Sequence, residues 1–261
     1  MAATKREREN ARKRQAKWDE RQARARAKKQ RRWAIAAVVA ILALVGTTLV
    51  VGLTGQNAAE QDPTPTAGGA ACPTEAPAAR EGGSLPGPER AEGRTWNMTL
   101  ELCAGGTTTD ITAELDGQAA PQAVASFVQL AEQGYFDGTQ CHRVVTQNIY
   151  VLQCGDPTAT GTGGPGYEFG PVENAPQDDV YPAGTLAMAR RTGDASSMGS
   201  QFFIVYQDSN IPSDAAGGYT VFGTITSGLD AVQAVADAGA ADGAPDGSPV
   251  SPVTIEGVET S

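Results

Sequence analysis

Between Trp33 and Leu53 the chain runs for 21 residues without a charge, WAIAAVVAILALVGTTLVVGL. As a helix, at about 1.5 Å per residue, this run would be about 31 Å long, the thickness of a bilayer core. Arg31 and Arg32 stand immediately before it, and no Lys or Arg follows until Arg80. The segment therefore divides the chain. A basic tail over 1–32 precedes a single transmembrane helix over 33–53, and the excess of positive charge ahead of the helix predicts a cytoplasmic N-terminus. Everything after it is expected outside, in a single-pass protein of the cell membrane. A cleaved signal peptide is the competing reading. The basic and apolar regions are both long for one, and Gln56-Asn57-Ala58-Ala59 is a weak cleavage site.

Charge divides the chain the same way. Residues 1–32 carry 14 of the 20 Lys and Arg but only 4 of the 30 Asp and Glu. The tail reads as a solvated stop signal that also touches anionic lipid. The acidic remainder argues against a nucleic-acid surface. No lysine follows Lys29, which excludes Schiff-base and Ser-Lys chemistry from the outer part. Residues 54–94, rich in Gly, Pro, Ala, Ser and Glu without an apolar period, read as a disordered linker.

Ordered sequence begins at Thr95. Trp96, Met98, Leu100 and Leu102 alternate with polar residues as in a strand, and Thr107 to Leu115 reads as its partner beyond Gly105-Gly106. Pro121 suits the first turn of a helix carrying Val124, Phe127, Val128 and Ala131 at helical spacing. Two β-prone runs, Cys141–Val145 and Tyr150–Cys154, flank the polar break Thr146-Gln147-Asn148 and predict a hairpin. Long loops over 155–184 and 190–199 separate it from strands at 185–189 and 202–206. Strands at 219–226 and 250–258 bracket a second helix over 229–238. Eight strands at this spacing, over residues 95–261, predict a mainly β domain. The expectation is a closed eight-stranded antiparallel barrel capped by two helices, preceded by the single transmembrane helix.

Cys72, Cys103, Cys141 and Cys154 all fall on the predicted outer side, where disulfides persist. Four cysteines allow three pairings. Cys141 and Cys154 bracket the hairpin, which favours that pair and leaves Cys72 with Cys103. Free buried thiols are the alternative. One histidine and no CxxC argue against a metal.

Side chains alternate along a strand, so Arg143 shares a face with Val145, and Val151 shares one with Gln153. His142 then points into the wall as a structural residue. No GxSxG occurs, and the Gly-rich run 161–166 lacks the Lys of a phosphate loop. What remains is one arginine, two amides and apolar rings, which suit a reaction without bond cleavage and without a cofactor.

The runs Cys141-His142-Arg143-Val144, Gln153-Cys154-Gly155-Asp156, Leu186-Ala187-Met188-Ala189, Gly199-Ser200-Gln201-Phe202-Phe203-Ile204 and Val221-Phe222-Gly223 resemble, in order and spacing, the cyclophilins, which are peptidyl-prolyl cis-trans isomerases. The whole layout resembles membrane-anchored cyclophilins of actinobacterial type. The resemblance implies an eight-stranded barrel with two capping helices. It puts Arg143 on the catalytic arginine, Gln153 and Gln201 on the two glutamines, and Phe203 on the floor of the proline pocket. Ala189 falls where substrate backbone is met, and Tyr150 and Val151 stand where the family has Phe and Met. Two extra residues separate Arg143 from Gln153. Tyr219 takes the usual histidine position. No tryptophan follows Trp96, so Ile211 or Pro212 takes the place of the loop tryptophan, which implies weak binding of cyclosporin, the family's cyclic-peptide inhibitor. The implied partners are proline-containing polypeptides outside the membrane, and the protein is expected to be monomeric. The alternative function is a non-catalytic proline-peptide-binding chaperone or scaffold. A third reading gives the basic tail the main function, by binding nucleic acid or a cytoplasmic partner.

Overall fold

The alternation of Trp96, Met98, Leu100 and Leu102 with polar residues gives β1 (Thr95–Ala104) one buried face. Gly105 and Gly106, at φ 59° and 82°, turn the chain directly into β2 (Thr107–Asp116). A two-residue hairpin of this kind needs left-handed backbone at both positions, which glycine adopts without strain. Next comes α1 (Pro121–Glu132), which buries Val124, Phe127, Val128, Leu130 and Ala131. It has no cap of its own. The carboxylate of Glu173 accepts hydrogen bonds from the backbone N–H of Gln122 and Ala123 instead, both at 3.0 Å. The structure, a computed structural model, describes residues 72–75 and 77–261.

The remaining elements are β3 (Arg143–Val145), β4 (Val151–Cys154), β5 (Val180–Tyr181), β6 (Thr185–Met188), β7 (Phe202–Val205), β8 (Ser209–Asn210), β9 (Val221–Ser227), α2 (Leu229–Ala238), β10 (Asp246–Gly247) and β11 (Val253–Thr260). Nine of the strands form one curled antiparallel sheet in the order β10-β3-β4-β7-β6-β9-β2-β1-β11, and β5 pairs with β8. The sheet therefore has nine strands rather than the expected eight, because the two-residue β10 adds an edge beside β3. Its two end strands do not pair with each other. Beside them, Cys141 donates to the carbonyl of Val253 at 2.9 Å, and Ile255 donates to that of Thr139 at 2.8 Å.

Both faces of the central strands are covered. Val144, Leu152, Ile204 and Leu186 point into the main core with Phe127, Phe136, Phe202 and Phe222. Val145, Val151, Val205, Phe203 and Ala187 point the other way, into a second apolar cluster. That double burial is why Phe202-Phe203-Ile204-Val205 reads as an unbroken apolar run.

Part of the expected linker is folded. Cys72 is disulfide-bonded to Cys103 in β1. Arg80 donates to the carbonyl of Gly134 at 2.9 Å, Gly82 to that of Pro165 at 2.8 Å, and the amide of Gln122 to that of Pro86 at 2.9 Å. Without an apolar period this segment carries no sequence signal. Its order comes from backbone groups and the Arg80 side chain, paired with neighbours 36 or more residues away in the chain. The expected transmembrane helix and basic tail lie outside the described residues. Among the described residues no helix is long and apolar enough to cross a membrane.

A second disulfide joins Cys141 to Cys154 across the base of the β3–β4 hairpin, 13 residues apart in sequence. A loop of that length restricts the unfolded chain by about 3 kcal/mol. Replacing both cysteines by serine is expected to lower stability in urea unfolding by that amount. A loss under about 1 kcal/mol would mean that the ladder alone holds the hairpin.

Candidate functional site

The site grows out of sheet register. Arg143 stands opposite Gln153, Gln153 opposite Phe203, and Phe203 opposite Ala187. One row thus carries guanidinium, amide, ring and methyl across four strands. The next row on the same face is Asp246, Val145, Val151 and Val205. Facing residues lie about 5 Å apart and diagonal ones about 7–8 Å, so the two rows form one patch.

The polar side chains are joined in a directed chain. Nη1 of Arg143 donates to Oε1 of Gln153 at 3.1 Å. Nε2 of Gln153 donates to Oε1 of Gln201 at 2.9 Å, and Nε2 of Gln201 donates to the carbonyl of Gly163 at 2.9 Å. A carbonyl can only accept, so the last link fixes which way both amides face. The second N–H of each amide bonds no group among the described residues. At the other end, Nε and Nη2 of Arg143 both bond the carboxylate of Asp246, each at 2.7 Å. These bonds raise the arginine's pKa against partial burial, and the same bonds hold Asp246 below the usual carboxylate range.

Beside this chain lies the second apolar cluster, in which Phe203 packs with Val145, Val151, Tyr181, Val205 and Ile211, and Ile149, Ala189, Tyr219 and Val221 pack against it, partly buried. The Tyr219 ring meets Phe203 edge-on at 5.4 Å. Arg190 is held under Tyr219, its guanidinium 4.7 Å from the ring centre. The Arg190 side chain is fully buried and bonds Asp214 through two N–H groups, both at 3.0 Å. A buried guanidinium is costly unless its donors are met. The carbonyls of Gly217 and Gly218 take two more of them, so the loop carrying Tyr219 is held to the strand end at Ala189.

A groove of about 840 Å³ opens on the other side of Gln153 and Gln201, lined by the 161–168 loop, Ala189, Arg191 and Ser200. Its loop is organised by Asp156, a buried carboxylate that accepts from the backbone N–H groups of Thr158, Thr160, Gly161 and Gly163 and from the Thr158 hydroxyl. Burial pushes its pKa up, but those donors outweigh burial and keep it below the usual range. His142 lies off the site face with both ring nitrogens buried and without a hydrogen-bond partner among the described residues. Burial lowers its pKa, so it is neutral near pH 7.

Arg143, Gln153, Gln201, Phe203, Val151, Ala189, Ile211 and Tyr219 come together in this patch. Two expected residues do not. Tyr150 packs against the main core, edge-on to Tyr206 at 5.9 Å, and Ile149 packs against the second apolar cluster instead. The reason is alternation: with Val151 in the second apolar cluster, its neighbour must face away. Pro212 is exposed and outside the cluster, which Ile211 joins. Asp246, Asp156, Arg190 and Asp214 were missed. Each acts across 20 or more residues or through backbone N–H groups, with no local pattern, except that Asp156 closes the Gln153-Cys154-Gly155-Asp156 run, which gave it no role.

The class follows from these facts: a mainly β protein whose sheet carries an arginine–amide row and a second apolar cluster on the face away from its core. The family model described as "Cyclophilin type peptidyl-prolyl cis-trans isomerase/CLD" matches residues 100–260, and the chain belongs to the cyclophilin family. It is 48% identical over 151 residues to the probable peptidyl-prolyl cis-trans isomerase B of Mycobacterium tuberculosis, an alignment covering 53% of this chain and 47% of that protein. The chain thus spans about half the length of that relative. Peptidyl-prolyl cis-trans isomerase B of Bacillus subtilis is 44% identical over 121 residues, covering 46% of this chain and 78% of the relative. A Cryptosporidium parvum cyclophilin-type isomerase, solved in the presence of the dipeptide Ala-Pro, matches with a TM-score of 0.51 at 27% identity, over 62% of this chain and 96% of that one.

Proposed function

We propose that this chain accelerates cis–trans isomerisation of X-Pro bonds in polypeptides, with Arg143 as the group that meets the twisted bond. The observation that carries the reading is the row itself: an arginine with N–H bonds to spare, one strand from a glutamine and two from the Phe203 ring of the second apolar cluster. The family membership and the Ala-Pro dipeptide in the Cryptosporidium structure support the substrate class.

The chemistry needs no bond cleavage. An amide resists rotation by about 18–20 kcal/mol because its C–N bond is partly double. Twisting pyramidalises the prolyl nitrogen and frees its lone pair. An Arg143 N–H donates to that lone pair only in the twisted state, so the contact favours the transition state over the substrate. A charged donor contributes about 1.5–3 kcal/mol, whereas a 10⁵-fold gain needs about 7. The remainder comes from seating the ring on Phe203 between Val151 and Ile211 while the free N–H of Gln153 and the Ala189 region hold the flanking backbone. One side is anchored and the other turns.

The wider setting is proposed with it. Trp33–Leu53 anchors the protein in the membrane with residues 1–32 in the cytoplasm, so that the folded body works as a monomer on extracytoplasmic clients. The length and charge asymmetry of that segment support this reading. The sheet works as a closed barrel, a reading supported by the hydrogen bonds from residues 138–141 to 253–255. The test is exchange NMR on a short Ala-Pro peptide with catalytic amounts of the full chain. Faster cis–trans exchange is expected. Binding without acceleration would leave a proline-peptide-binding module instead.

A further inference from the structure

Arg143 does not reach the substrate face alone. Its outer edge is held by an acid that lies 103 residues further along the chain. We infer that Asp246 is a positioning residue for Arg143, fixing which guanidinium N–H bonds are left to meet the prolyl nitrogen and so setting the rate of rotation rather than substrate affinity. The inference rests on the reading of Arg143 given above.

The local build supports it. Asp246 sits in β10, a strand of two residues whose only ladder partner is β3, with Asp246 opposite Val145 and Gly247 opposite Val144. Cross-strand geometry makes Arg143 the diagonal neighbour of Asp246 on the same face, within reach of a long side chain. The backbone around β10 is tied down. Thr146 donates to the carbonyl of Pro245 at 2.8 Å, Ala241 to that of Ser248 at 2.8 Å, and Val250 to that of Gly239 at 3.0 Å. The carboxylate therefore comes from a braced edge.

Donor arithmetic gives the role. A guanidinium has five N–H bonds in a rigid plane. Asp246 takes Nε–H and one on Nη2, and Gln153 takes one on Nη1. Two remain, one on each terminal nitrogen, and the plane that carries them cannot turn without breaking a two-point ion pair. Reactions that depend on one well-aimed donor lose rate steeply when the donor wanders by an ångström, while the rest of the binding surface keeps its hold. Among the described residues the Asp246 carboxylate hydrogen-bonds only to Arg143, so its effect is exerted through Arg143.

The test uses the full chain with Asp246→Asn, Asp246→Glu and Arg143→Ala. Exchange NMR on an Ala-Pro peptide separates kcat from KM, and thermal unfolding checks that each variant is folded. Asp246→Asn is expected to lower kcat about 10-fold with KM unchanged within about twofold. Asp246→Glu restores part of the loss, and in an Arg143→Ala background Asp246→Asn has no further effect. The pH profile gives a second readout. The titratable groups around Arg143 are Asp246 on β10, Tyr219 ahead of β9 and His142 beside it in the chain. Wild-type kcat should fall only in strong acid, as Asp246 protonates. The Asn variant should lack that limb, whereas a limb caused by His142 would survive the change. Unchanged or raised kcat in folded Asp246→Asn, with Arg143→Ala inactive, overturns the inference and leaves the site reading standing. Full activity in Arg143→Ala overturns the site reading itself.

Discussion

Replacing Arg143 by alanine is expected to lower kcat/KM for a short X-Pro peptide about 10- to 100-fold while the protein stays folded, because a hydrogen bond from a charged donor contributes about 1.5–3 kcal/mol. The loss should fall on kcat, since the donor meets the prolyl nitrogen only once the bond is twisted. Stability should change by less than about 1 kcal/mol. The side chain is 39% exposed and its partner Asp246 is 48% exposed, and an ion pair so open to water contributes little. Lysine should not rescue the alanine variant. One ammonium cannot hold both oxygens of Asp246 and Oε1 of Gln153 in a plane and still offer a fixed donor. Exchange NMR across the three proteins decides it. A folded alanine variant at full wild-type rate would sink the assignment of catalysis to the guanidinium.

Much of this was legible because sheet alternation is a strict rule. Arg143 with Val145, and Val151 with Gln153, share a face by counting in twos, and the register that matches the two strands follows from the hairpin. Counting one further step would have replaced Tyr150 by Ile149. The family pattern, read by position, drew attention to the tyrosine, and the two extra residues in the turn do not alter the parity next to Val151. Other parts left no local trace. A strand of two residues, such as β10, has no period to detect, so neither the ninth strand nor its carboxylate could be found. The segment 77–94 looks like a linker by composition because it adds little to the core. What orders it is its backbone carbonyls and its arginine, which bond to groups the chain reaches only after folding.

Asp156 shapes the loop that holds Gln201, and its replacement should cost both stability and substrate affinity. Four backbone N–H groups of the loop turn toward one buried carboxylate, and the loop they shape carries the Gly163 carbonyl that fixes Gln201. In Asp156→Asn one of the two acceptor oxygens becomes a donor and faces donors. With its oxygen turned to Thr160, Gly161 and Gly163, the asparagine keeps three of the four backbone donors and sets its NH2 against the Thr158 N–H, and one unmet donor costs about 1–3 kcal/mol, so urea unfolding should show a loss of that size. KM should rise as well, because Gln201 and through it Gln153 lose their fixed orientation, while the Arg143–Asp246 pair at the far end of the row is untouched. The pH dependence distinguishes this from a simple packing defect. Asp156 has a folded pKa below its unfolded value of about 3.9. Its contribution is therefore complete above about pH 4 and is lost as pH falls through the window down to the folded pKa, at about 1.4 kcal/mol per pH unit. Wild type should carry that slope and Asp156→Asn should lack it, so the two stability curves converge in acid. Parallel curves, offset by the same amount at every pH, would mean that the carboxylate's charge is not what holds the loop.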